Sequence, residues 1–315
     1  MTREIKTASN LEKVLASGNF AVTGELGPPR SADGHEVAEK AKHLVGNVDS
    51  VNITDNQTAV VRMSSMAAGL LVQREGLQCN MQMVTRDRNR IAIQSDIMGA
   101  YALGIHNLLC LTGDHQKFGD HPQAKNVFDM DAIGLIQTVK SMRDDGRLLS
   151  GQELPPEGRP KIFIGSAYNP FADPEKYRIH RTAKKVEAGV DFLQSQCIYD
   201  MPRFRAFMKE AVDMGLTEKA YFMAGITPFK NLGMARYMQK NVPGILVPDE
   251  FINRLKGVPK EKQAEEGMKI AAEQIEEFKT TPSLGIKGVH LMLIEWEHMV
   301  PEFVKLCKLT PRPKL

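Results

Sequence analysis

Glu25 closes a short apolar run in AVTGELGPPR and is followed within four residues by Pro28 and Pro29. The prolines fix φ over the next turn, so the carboxyl stands on a stiff base, and a proton donor needs that fixed geometry before its acidity matters. The plainer reading is a strand-terminal glutamate facing water. A second acid, Asp114, follows Gly113 at the end of the run NLLCLTGD. Glycine permits a close backbone approach beside the carboxylate, which suits a planar heterocycle with N–H donors, although the same dipeptide makes an ordinary turn. Three amides lie inside apolar runs, Gln82 in CNMQMV and Gln194 and Gln196 in FLQSQCIY. A buried amide left unpaired costs about 1–3 kcal/mol, so each is expected to have a partner. The basic run TRDRNR (85–90) and the pair Lys184–Lys185 in RTAKKVEAG offer charge for a phosphate or a polyglutamate tail, or else are solvated faces. No metal site stands out: His35, His43, His115 and His121 are scattered, and Cys79, Cys110, Cys197 and Cys307 lack ligand spacing. The GxGxxG, Walker and GxSxG patterns are absent, so a nucleotide, if bound, is not held on a Rossmann loop.

These residues must be placed by short apolar runs that alternate with amphipathic ones. Strands are expected at Phe20–Glu25, Val48–Thr54, Leu77–Val84, Asn107–Thr112, Lys161–Tyr168, Val190–Gln196, Ala220–Ile226 and Gly288–Ile294. Most are continuously apolar, as parallel strands buried on both faces should be. Helical periodicity fills the intervals at Asp33–Leu44, Ala59–Gln73, Asn89–Leu103, Met130–Met142, Asp173–Ala188, Met201–Met214, Asn231–Lys240, Lys260–Phe278 and Glu297–Cys307. Eight strands separated by helices give an α/β fold, a TIM (β/α)8 barrel, with a doubly wound open sheet as the alternative. A single domain is expected over 1–315, with the barrel core over roughly 20–308. In a barrel, ligands sit at the C-terminal strand ends. Those ends carry Glu25, Thr54 and Asp55, Gln82 with Arg86 and Asp87, Thr112 to Asp114, Tyr168 and Asn169, Gln196 and Thr227. Two loops are long: His115–Asp129 leaves a strand's C-terminal end and is expected at the ligand, whereas Arg147–Pro160 enters from the opposite face and is expected to be decoration.

Bulk properties narrow the partners. Lys plus Arg number 41 against 38 Asp plus Glu, a net charge of +3 that is too balanced for nucleic acid as the main partner. No run approaches the ~20 apolar residues of a membrane span, MTREIKTASN lacks an apolar signal core, and unpaired cysteines within apolar runs suit buried reduced thiols. A cytoplasmic location is expected.

Taken together, GELGPPR around Glu25, VNIT ending at Thr54, LTGD ending at Asp114, SAYNPFADPE around Tyr168, KKVEAGVDFLQSQCIYD around Lys185 and Gln196, and AGITPFKN resemble the flavin-dependent methylenetetrahydrofolate reductases from about Phe20 to about Phe303. The resemblance implies a (β/α)8 barrel holding FAD, with FMN the alternative, and ping-pong chemistry: the flavin is reduced, and 5,10-methylenetetrahydrofolate then receives a hydride to become 5-methyltetrahydrofolate. It implies Glu25 as general acid opening the five-membered ring, Asp114 stabilising the 5-iminium cation, and Gln196 binding folate with both acids nearby. It also implies that Thr54, Gln82, Thr112, Gly113, Asp114, Ala167, Tyr168 and Lys185 line the flavin.

The chain departs from the family pattern at Thr112, where arginine is frequent, and at Gln82, Met234, Met238 and Trp296. These changes resemble a divergent anaerobic branch of the reductive acetyl-CoA pathway whose reductase works with a zinc- and iron–sulfur-containing subunit. Electrons are accordingly expected from NAD(P)H or through such a partner, in an oligomeric assembly. Two other readings compete: a pterin-binding methyltransferase barrel acting with a corrinoid protein, and a non-catalytic barrel subunit of a larger redox complex.

Overall fold

The computed structural model describes residues 4–242 and 244–315. Eight strands pair in parallel, each with the next: β1 (Ala21–Leu26), β2 (Ser50–Ile53), β3 (Cys79–Val84), β4 (Asn107–Leu111), β5 (Phe163–Tyr168), β6 (Phe192–Cys197), β7 (Tyr221–Ile226) and β8 (Ile286–Leu291). Pairing of β8 with β1 closes the sheet into a barrel. The strands read as apolar runs because one face meets the barrel interior and the other the helices; β3 and β7 are buried at every residue. Helix starts are fixed by side-chain caps. Asp33, Ser64, Asn89, Asp131, Asp200 and Asn231 each accept a backbone N–H from the first turn of the helix that follows.

Inward-facing side chains stack in layers. At the N-terminal strand ends Ala21, Phe163, Phe192 and Tyr221 pack against Leu11, Val14 and Leu15 of the helix Asn10–Ala16, which closes that end. The Phe163 and Phe192 rings stack at 4.9 Å, and a Cβ added at Gly165 would stand 2.2 Å from the Phe192 ring, so glycine there makes room for the aromatic layer. Two buried acids tie the same end together. Asp49 Oδ2 accepts from the Val22 amide and pairs with Arg312 of the C-terminal segment, while Asp191 Oδ2 accepts from the Ile164 amide and pairs with Arg143. All four cysteines are buried and free, and burial pushes the Cys79 thiol up to about 12. Among the described residues no helix is long and apolar enough to cross a membrane.

Every expected strand exists. The last was placed two residues late, because Met292 and Leu293 extend the apolar run after pairing has ended; they are buried in the turn that follows β8 rather than in the sheet. The helix expected from Ala59 begins only at Ser65, since residues 56–63 take irregular and partly left-handed backbone. Three helices were not anticipated, Asn10–Ala16, Leu216–Lys219 and Asp249–Lys256. Each is eight residues or fewer and carries too few turns for periodicity to declare it. The segment 147–160 is an exposed excursion braced by the Arg147–Glu153 pair, as its position before β5 implied.

Candidate active site

β1, β3, β5 and β6 bring Glu25, Gln82, Ala167, Tyr168 and Gln196 to one cavity of about 360 Å³ at the C-terminal end of the barrel. The helix Glu175–Ala188 adds Lys185 from the side. With Asn169 and Gln194, which also line it, eight of the sequence-selected residues share one space, and its volume falls within the range of small-molecule sites. Leu109, Leu111, Ala167 and Met292 supply apolar wall. Tyr168 contributes less polarity than expected: its hydroxyl turns inward to the Met223 carbonyl at 3.4 Å while its ring stacks on Phe207. Gln196 Oε1 accepts from the Cys197 amide at 3.0 Å, which holds the side chain at the cavity edge.

Glu25 is backed by a hydrogen-bonded group inside the barrel. His290 Nε2 lies 3.4 Å from Glu25 Oε2, and His290 Nδ1 lies 3.0 Å from Thr23 Oγ1. Gln194 Nε2 donates to Thr23 Oγ1 at 2.9 Å, Asn52 Nδ2 donates to Gln194 Oε1 at 2.7 Å, and Asn80 Nδ2 donates to Asn52 Oδ1 at 2.8 Å. The demand that Gln194 find a partner is met here. Of these residues, Thr23, Asn52, Asn80 and His290 were not singled out from the sequence. The signal was present: parallel strands alternate inward and outward, and each lies two residues before a selected position or at the same inward register. Thr23 precedes Glu25, Asn52 precedes Thr54, Asn80 precedes Gln82 and Gln194 precedes Gln196 in this way.

The wall beside Lys185 is strongly basic. Arg178, Arg181 and Lys185 line the cavity, and an adjoining pocket of about 240 Å³ adds His180 and Lys184 along the same helix. Lys185 donates to the Ala167 carbonyl, and burial lowers its ammonium to about 8. Arg181 makes no hydrogen bond or ion pair among the described residues, so its charge is available to a ligand. Sequence reasoning weighed only Lys184 and Lys185 here; Arg178 and Arg181 join them because residues three and four apart share a helix face.

Thr54, Thr112, Gly113 and Asp114 lie at the C-terminal strand ends but outside the cavity lining. Thr54 Oγ1 donates to Gln57, Thr112 Oγ1 accepts from the Ala132 amide, and the exposed Asp114 accepts from the Thr58 amide at 3.2 Å. Gly113 has φ +89°, and an added Cβ would stand 2.9 Å from Val84 Cβ. Gly113→Ala is therefore expected to destabilise the protein by about 2 kcal/mol, through unfavourable backbone and overpacking together, read as a lowered denaturant midpoint.

The arginines of TRDRNR are consumed by the fold. Arg86 pairs with Asp87 and donates to the Asp114 carbonyl, Arg88 pairs with the wholly buried Asp55 carboxylate and with Asp96, and Arg90 pairs with Asp129. The run braces the β3 and β4 loops, which removes Asp55, Arg86 and Asp87 from the ligand candidates. The loop 115–129 likewise packs on the rim, through Asp120 with Arg30 and Val61, and supplies no residue to the cavity lining. Met234, Met238 and Trp296 are also outside it. Met238 is buried beside Tyr199, and Lys230 Nζ sits 5.8 Å over the Trp296 ring while bonding the Ile294 carbonyl.

Comparison with known proteins agrees with this architecture. The chain is 23% identical over 303 residues to methylenetetrahydrofolate reductase 2 of Schizosaccharomyces pombe, covering 92% of this chain and 46% of that protein. It is 27% identical over 261 residues to methylenetetrahydrofolate reductase (NADH) 1 of Arabidopsis thaliana, covering 77% and 41%. The chain thus spans less than half the length of these curated relatives. Among solved structures, an uncharacterised protein from Clostridium thermocellum that binds two copies of 5-methyl-5,6,7,8-tetrahydrofolic acid shares the fold, with a TM-score of 0.63, 12% identity and coverage of 96% and 99%. The profile of one family, methylenetetrahydrofolate reductase, matches residues 10–308, which takes in all eight strands and every residue of the cavity. The chain belongs to the methylenetetrahydrofolate reductase family.

Proposed function

We propose that this protein reduces 5,10-methylenetetrahydrofolate to 5-methyltetrahydrofolate with a bound flavin, Glu25 serving as general acid. The observation that carries the reading is Glu25 itself: an acid on the cavity wall, backed by His290, with a basic helix face on the far side. The residues present suit a flavin. Gln82, whose amide has no hydrogen-bond partner among the described residues, and the apolar Leu109, Leu111 and Ala167 suit a planar heterocycle, while Arg178, Arg181 and Lys185 suit its phosphates. When bound, the flavin would supply the hydride. Glu25 gives a proton to folate N10 as the bond from N10 to the bridging carbon breaks; the cation left at N5 accepts the hydride on that carbon, so one proton and one hydride account for the product. In this reading Gln196 on the cavity wall holds the pterin, while Asp114, at the rim and outside the cavity lining, would stabilise the cation only by its charge. His290 keeps the Glu25 carboxyl aimed and stands close enough to exchange its proton. In this reading NAD(P)H or a redox partner subunit supplies the electrons, and rapid NADH oxidation by the purified protein alone selects the former.

Cofactor extraction with mass determination tests the assignment: a yellow preparation releasing FAD or FMN supports it, and a colourless preparation that takes up neither turns the reading toward a corrinoid-linked methyltransferase. The basic wall adds a pH dependence. An anionic phosphate is held by the protonated Lys185, so flavin affinity in the apoprotein is expected to fall as pH rises through about 8. Lys185→Arg, which stays charged, should move that fall to higher pH. Flavin fluorescence titrations between pH 6.5 and 9.5 read both, and identical profiles for the two proteins would remove Lys185 from the phosphate site.

A further inference from the structure

The turn Gln57–Ala59 after β2 carries backbone that its side chains do not favour. Asn56, Thr58 and Ala59 have φ of +44°, +56° and +58°. Left-handed backbone is rare for a β-branched residue such as Thr58 and persists only where surrounding structure enforces it. Three contacts from neighbouring loops enforce it here. Asp114 Oδ2 accepts from the Thr58 amide at 3.2 Å, Arg86 Nη2 donates to the Asn56 carbonyl at 3.3 Å, and Gly119 packs so closely that an added Cβ would stand 1.8 Å from the Ala59 carbonyl oxygen. The other side of the turn reaches the acid on β1: Gln57 Oε1 accepts from Thr54 Oγ1 at 2.6 Å, and a Cβ on Gly27 would stand 3.0 Å from Gln57 Nε2. One strained turn therefore bridges the loop that follows Glu25 and the carboxylate of Asp114.

We propose that this turn is a ligand-operated latch, held in its strained form by Asp114 and relaxed when a cationic or N–H-bearing ligand engages that carboxylate. The bond to Thr58 uses Oδ2 alone and is long at 3.2 Å, so a ligand that takes the other oxygen and draws the carboxylate toward itself lengthens the contact that enforces the turn. Relaxation then shifts Gln57 against Thr54 and Gly27, which couples arrival at Asp114 to the loop beside Glu25. The choice of ligand rests on the folate reading above, whereas the strained, acid-held turn does not.

Amide hydrogen exchange on the purified protein as isolated tests both parts separately. Without ligand, the Thr58 and Ala59 amides are expected to exchange at least roughly tenfold faster in Asp114→Ala and Asp114→Asn than in the parent, because the enforcing bond is lost or weakened. Gly119→Ala should do the same from the opposite side, since its methyl group cannot coexist with the Ala59 carbonyl. Thr58→Gly, which adopts left-handed backbone freely, should exchange at the parent rate or slower. Unchanged protection in all three disrupting variants, or faster exchange in Thr58→Gly, overturns the latch. Saturating 5-methyltetrahydrofolate should then speed exchange in the parent and leave Asp114→Ala unaffected. Should the ligand-free results hold while 5-methyltetrahydrofolate binds without moving the turn, the latch is static and its ligand-operated part is wrong. Should 5-methyltetrahydrofolate not bind at all, the folate reading fails, the ligand-operated part as stated here falls with it, and the ligand-free result still decides whether Asp114 holds the turn.

Discussion

Glu25→Gln is expected to lower methylenetetrahydrofolate reduction about 10²–10⁴-fold while flavin and folate still bind. The range is that of a lost general acid, and at 1.36 kcal/mol per tenfold it corresponds to about 3–5 kcal/mol of transition-state stabilisation. Glutamine preserves the shape of the side chain and can hydrogen-bond to His290, but it has no proton of comparable acidity to give N10. The group behind it is built without it: Thr23, Asn52, Asn80 and Gln194 remain joined to one another and to His290. The substitution should therefore spare stability and ligand affinity and fall on kcat. Single-turnover reduction of 5,10-methylenetetrahydrofolate against equilibrium binding separates the two. Unimpaired turnover would remove Glu25 from the chemistry.

Arg312→Ala should lower the unfolding free energy by about 3–5 kcal/mol, a large share of the 5–15 kcal/mol that holds a typical protein together. Arg312 Nε and Nη2 reach both oxygens of Asp49 at 3.0 and 2.6 Å, and Nη2 also donates to the Phe20 carbonyl. The Asp49 side chain is 1% exposed. Without the guanidinium it keeps only the Val22 amide at 2.7 Å, leaving a buried charge without its counter-ion. Asp49 precedes β2, so the clamp lies at the N-terminal strand ends, remote from the cavity. Activity per folded molecule should accordingly stay close to the parent value while the urea midpoint falls with an unchanged m-value. An unfolding free energy within about 0.5 kcal/mol of the parent value would show that the C-terminal segment is an ornament rather than a tie. The same logic extends to Asp191 with Arg143, where a second acid before a strand anchors both a strand amide and an arginine from a preceding helix.

The eight strands were legible in the residues because burial on both faces forces a continuous apolar run, and that pattern survives without knowledge of what packs against it. Glu25, Gln82, Tyr168 and Gln196 were legible for a related reason: a polar group inside or at the end of such a run must point either to a ligand or to a partner. Gln194 proves to be the second kind, joined to Asn52 and Thr23. His290 escaped notice because its significance depends on β8 lying beside β1, a closure that joins residues 265 apart in the chain.

Tertiary structure alone decided which charges are free. TRDRNR and the helix beginning at Glu175 look alike as basic stretches, yet the arginines of the first are neutralised by Asp87 within the run, by Asp96 in the helix that follows, and by Asp55 and Asp129, which arrive from other loops. On the second, Arg181 and Lys185 face a cavity without an acid in contact. Composition records a charge wherever it occurs, but whether it is spent on an ion pair or left for a ligand depends on distances across the barrel. The local sequence of this protein therefore determined its strands, its caps and the polar positions at its strand ends. The closed sheet decided how those positions combine, because hydrogen bonds and ion pairs act over about 3 Å in space, irrespective of separation along the chain.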